Sequence, residues 1–139
     1  MAREYFEEWF PVAMQRYELA KHATGQGFLK PAAFDMHQTA EFLYHCVLLV
    51  CTFYTPHVHN LGFLRTQAER LDRRLFHVWP RDTKKERALF EKLKEAYVKA
   101  RYSRLCRTRH NRDYAECATM PSGRGTPVLS RNLAVIGSA

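Results

Sequence analysis

From Pro31 to Tyr54 one segment keeps the helical step without a break. Ala33, His37, Ala40, Tyr44, Val47, Cys51 and Tyr54 recur every three or four residues. Met36, Leu43, Leu48 and Val50 widen the apolar face well beyond a narrow seam. A helix that apolar cannot lie on a surface. It predicts a central helix with neighbours on more than one side, closed by Pro56.

Three further segments carry the same period. Phe6, Phe10, Ala13, Tyr17 and Ala20, with Trp9 beside them, predict a helix over residues 3–23, kinked or restarted at Pro11 and stopped by Gly25 and Gly27. Leu61, Leu64, Ala68, Leu71 and Leu75 predict a third helix that starts near His59–Asn60, with Asn60 as its cap. Trp79 to Asp82 reads as a loop. Thr83-Lys84-Lys85-Glu86 is a capping-box pattern, and Leu89, Phe90, Leu93, Tyr97 and Ala100 form the inner stripe of a fourth helix ending near Tyr102. No strand-like alternation competes. The fold class is therefore all-α, an up-and-down four-helix bundle over residues 1–103. Residues 104–139 read as a basic, partly irregular extension in which Pro121 to Pro127 breaks the period and Val128 to Ile136 forms a short apolar stretch of unassigned place.

Charge is unevenly placed. Residues 1–60 carry four Lys/Arg against six Asp/Glu, a net of −2, and residues 61–139 carry 18 against eight, a net of +10. A one-sided basic half points to polyanions such as nucleic acid or nucleotide phosphates. The longest apolar run, Cys46 to Cys51, is too short to span a membrane, and the acidic start has no signal-peptide character. None of Cys46, Cys51, Cys106 and Cys117 forms a Cys-x-x-Cys pair; Cys46 and Cys51 are expected as small buried hydrophobes, a usage that suits a reducing cytoplasm. His57, His59 and His77 lack the further converging ligands a zinc site needs, so no metal and no cofactor are expected.

Three segments in order resemble a known family. Ala32-Ala33-Phe34, followed by His37-Gln38-Thr39-Ala40-Glu41, is similar to the signature on the second helix of HEPN domains. Pro56-His57-Val58-His59-Asn60-Leu61 resembles the loop that opens their third helix, and Ala96-Tyr97-Val98-Lys99-Ala100-Arg101-Tyr102 the end of their fourth. The resemblance covers about residues 2–103 and departs after Tyr102, where the chain turns Arg-rich and then Pro/Gly-rich. It implies a four-helix bundle, often with a short fifth helix, often a homodimer, and often a minimal nucleotidyltransferase as partner. It implies a binding module for nucleotide or RNA. Some relatives are metal-independent ribonuclease toxins with an Arg-x(4-6)-His motif, and others are inactive modules that bind nucleotides or partners; an adaptor whose apolar helix faces mediate dimerisation without ligand is a further alternative for this chain.

For ribonuclease chemistry the candidate pair is Arg104 and His110, an Arg to hold the phosphate and a His to move the 2′-hydroxyl proton. Leu105 replaces the polar residue that follows the Arg in those relatives. Arg101, Arg104, Arg107 or Thr108, and Arg112 fall at three- to four-residue steps, with Lys99 and Arg109 nearby, and could track a phosphate backbone if the helix continues. Tyr102 could stack on a base, whereas Tyr97 is expected in the core. His37, Gln38 and Glu41 sit close on the second helix and, with His59, make up a candidate polar cluster; Glu41 borders the apolar stripe and needs a partner, for which Arg101 is the candidate.

Overall fold

The computed structural model describes residues 1–102, with side chains described through Ala100. Four helices follow in order: α1 (Ala2–Gly25), α2 (Leu29–Thr52), α3 (Leu61–Leu71) and α4 (Lys84–Tyr102), with a short 3-10 helix, Arg73–His77, between the last two. Helix α2 packs against α1, α3 and α4, the central position its wide apolar face requires. One core cluster joins all four, from Tyr17 and Ala20 through Met36, Tyr44 and Val47 to Leu61, Leu64, Phe90 and Leu93. No described helix is long and apolar enough to cross a membrane.

The helix ends follow local chemistry. Gly27 adopts φ +76°, and the Phe28 and Gly27 amides donate to the carbonyls of Ala23 and Thr24 at 2.8 and 3.0 Å, a left-handed stop for α1. Pro31 lies in the first turn of α2, where no intrahelical donor is missed. The Asn60 side chain accepts from the Phe63 amide at 3.1 Å and caps α3. At α4 the Glu86 amide donates to the Thr83 hydroxyl at 3.2 Å and the Thr83 amide to the Glu86 carboxylate at 2.8 Å, the reciprocal box. Asn60→Ala is expected to destabilise the fold by about 1 kcal/mol, read from the urea midpoint.

Four expectations need correction. Helix α1 does not restart at Pro11 but runs through it from Ala2; Pro11 is exposed, so the Glu7 carbonyl it deprives of a donor sits on the solvent side. The third helix stops at Leu71 instead of reaching Leu75. Asp72 takes an extended backbone (φ −139°, ψ 111°) and its carboxylate accepts from the Arg74 amide at 2.9 Å, opening the 3-10 helix. Leu75 is thereby turned into the core while Leu71 is 44% exposed. Cys46 is buried as expected, but Cys51 is exposed. Tyr54 is exposed too, because α2 stops at Thr52 and the left-handed Phe53 (φ 58°) takes the chain off the helix before it.

Candidate nucleotide-binding site

A file of polar groups interrupts the apolar face of α2. His37, Glu41 and His45 stand four residues apart, so they share one face, and all three are buried. A buried carboxylate is costly unless it is partnered. Glu41 is met by His59 from the loop before α3: His59 Nδ1–H donates to Oε1 at 2.7 Å. The Gln38 amide donates to Oε2 at 3.3 Å and to His37 Nδ1 at 3.3 Å, which makes that nitrogen the acceptor of a neutral ring. His45 Nε2 lies 4.0 Å from Glu41, and its Nδ1 bonds the Thr55 hydroxyl at 2.5 Å. The Glu41–His59 and His45–Thr55 bonds thus tie the α2–α3 connection down onto α2 at two places.

Burial sets the protonation of this file. It pushes the His37 imidazole down to about 4 from its ordinary 6.5, with the His59 ring adding to the effect. The Glu41 carboxylate, 3.6 Å from His37 Nδ1, stands beyond hydrogen-bond distance and does not reverse it. His45 is lowered as well, again by burial first, although Glu41 opposes the shift.

Above the file sits Tyr97 of α4. Its ring stacks with His59 (centroids 5.1 Å apart, planes at 12°) and with Phe34 (5.9 Å, 22°), and tilts against His37 at 5.3 Å. His59 is the outer member, with 62% of its side chain exposed, while Tyr97 is half-buried. Beside the stack runs a groove of about 710 Å³, lined by His59, Leu61, Lys94, Tyr97, Val98 and Lys99 among others. Its lysines are neutralised locally, Lys94 by Glu91 at 2.9 Å and Lys99 by Glu95. Such exposed pairs are worth little, and a phosphate can displace the carboxylates. The arrangement presents a flat, oriented imidazole with cations within reach. That combination can stack a base, hold a phosphate or hand over a proton.

Of the residues singled out in the sequence, the structure brings His37, Gln38, Glu41 and His59 together and places Lys99 on the same groove. Arg101 and Tyr102 are the last residues of α4, with side chains outside the described residues, as are Arg104, Arg107, His110 and Arg112. The expected Glu41–Arg101 pair therefore lies outside them too; the partners described for Glu41 are histidines and Gln38. Sequence reasoning missed His45, although its position four residues after Glu41 was the signal for it. It also missed the stack of His59 on Tyr97, which lie 38 residues apart. Among the described residues no group of three or more His, Cys, Asp or Glu is placed to hold a metal ion.

No curated protein matches the chain. The family model of the HEPN domain matches residues 6–119, which include all three segments that carry the resemblance and the whole Glu41–His59–Tyr97 assembly. With this match over most of its length, the chain belongs to the HEPN domain family.

Proposed function

We propose that the protein is a binding module for nucleotide or RNA, with the base stacked on His59 and the phosphate taken by Lys94, Lys99 and the basic residues that follow. The observation that carries this reading is the exposed His59 ring, held flat on Tyr97 by the buried Glu41 at 2.7 Å. An imidazole fixed from behind loses little further freedom when a base lies on its outer face. Calorimetric titration of the full chain with AMP and with a short oligoribonucleotide tests it. His59→Ala should weaken binding by about 1–3 kcal/mol, the worth of one stacked base, and Glu41→Gln by less. Unchanged affinity in both variants would refute the site. A nucleotidyltransferase partner, read by co-purification, and a homodimer, read by light scattering, belong to the same proposal.

One observation favours a second reading, a metal-independent endoribonuclease. A buried carboxylate orienting an exposed imidazole is the arrangement that acid–base catalysis uses. RNA incubated with the wild type, His59→Ala and His110→Ala would show which histidine any cleavage requires. Cleavage lost only with His110→Ala would assign the chemistry to the Arg104–His110 pair.

A further inference from the structure

Helices α3 and α4 run antiparallel. His59, before α3, stacks on Tyr97 near the end of α4, while Arg65 of α3 lies over the Phe90 ring of α4 at 4.3 Å. The far end of this helix pair, away from the groove, carries a second concentration of positive charge. Residues 65–87 hold eight Lys/Arg against four Asp/Glu. Arg70, Arg73, Lys84 and Lys85 are exposed and form no ion pair among the described residues.

An exposed aromatic lies in the same stretch of chain, three residues after Arg73. Phe76 of the 3-10 helix is 46% exposed. The Arg81 guanidinium lies over its ring at 3.7 Å, and the His77 ring meets its edge at 5.8 Å. Arg81 is not free to swing, because it donates to the Glu69 carboxylate and, at 3.2 Å, to the Phe76 carbonyl. The α4 end is fixed to the same loop by Arg87, which donates to the carbonyls of Arg81 and Asp82 at 2.7 and 3.0 Å. A preorganised ring and guanidinium, with exposed cations three and four residues away along the chain, is the chemistry that holds single-stranded nucleic acid: a π-face for a base and charges for the neighbouring phosphates.

We propose that this Phe76–Arg81 platform, with Arg70, Arg73, Lys84 and Lys85, is a second contact for single-stranded RNA, one that a mononucleotide seated in the His59 groove cannot reach. The inference rests on the nucleotide-or-RNA reading of the His59 groove and narrows it to a polymeric ligand. Lys85 and Tyr97 are twelve residues apart on α4, which sets the two contacts about 18 Å apart along the helix. At about 3.4 Å per stacked nucleotide, a strand of roughly five or six nucleotides bridges them. The net of −2 on residues 1–60, which contain α1 and α2, disfavours a path across that side of the bundle.

The test compares AMP with a single-stranded oligoribonucleotide of about 12 nucleotides on the full chain, by fluorescence anisotropy at several salt concentrations. The strand should bind at least about tenfold tighter than AMP, and the double variant Arg73→Glu/Lys85→Glu should abolish that advantage while leaving AMP binding unchanged. The slope of log affinity against log salt should fall by about two. Phe76→Ala, at an exposed position, should weaken the strand and not AMP. A double variant that binds the strand as tightly as the wild type, with an unchanged slope, would overturn the second contact and leave a merely solubilising surface. Displacement of the strand by polyglutamate of equal charge, with Phe76→Ala silent, would overturn it in favour of an acidic protein partner. Failure of the wild type to bind AMP or the strand would overturn the underlying reading of the groove instead.

Discussion

Leu64→Ala is expected to lower the stability of the fold by about 2–5 kcal/mol, and Leu71→Ala, seven residues on along the same helix, by no more than about 0.5 kcal/mol. Leu64 is 0% exposed and belongs to the core cluster that joins all four helices. Truncating it removes the transfer energy of the lost carbons and leaves a cavity that helices packed on several sides cannot close. A domain of this size has only about 5–15 kcal/mol in total, so the loss is a large fraction of it. Leu71 occupies the same periodic stripe in the sequence yet is 44% exposed. Urea unfolding of the two variants reads the contrast. Comparable losses in both would mean that α3 continues through Asp72 without a break.

Lowering the pH from about 7 to about 4 is expected to remove about 3 kcal/mol of stability through His37 alone. Its imidazole titrates at about 4 in the folded chain against an ordinary 6.5, because burial opposes the charged ring. In that window the unfolded chain binds a proton that the folded chain refuses. Stability is therefore intact above about 6.5 and falls as the pH drops toward about 4. The groups facing His37 are Gln38 and Glu41 on its own helix, His59 from the loop, and Tyr97 of α4. His45, also lowered by burial, adds in the same direction. His37→Gln takes out the titrating group, so its stability against pH should be flatter than that of the wild type by most of that amount. Because the readout is the slope, any fixed cost of the substitution drops out. A variant as acid-sensitive as the wild type would show that His37 is not the group responsible.

Leu71 and Glu41 show how far the sequence carried. The period of three and four located all four helices, and Asn60 and the Thr83–Glu86 box marked two starts that the structure keeps. Periodicity reports which face of a helix is apolar; it does not report where that helix ends. That is why Leu71, Cys51 and Tyr54, each in phase with a buried stripe, are exposed. The break at Asp72 was legible only as side-chain capping, since one carboxylate accepting the Arg74 amide outweighs another helical turn. The polar file on α2 was visible because a Glu on an apolar face demands partners. Which partners met it was not visible. His59 reaches Glu41 from 18 positions away and rests on a tyrosine from another helix, and only the packing of α4 on α2 brings the three together.

The central claim is that Glu41 holds His59 on Tyr97 as a ready surface for a nucleotide base. The most direct measurement is the NMR spectrum of the full chain, with assigned His and Tyr ring signals, during titration with AMP. Saturable shifts of the His59 and Tyr97 rings, with the exposed Tyr54 unmoved, are the expected result. Saturable shifts at Tyr54 with His59 and Tyr97 silent, or no shift at any ring, would contradict it.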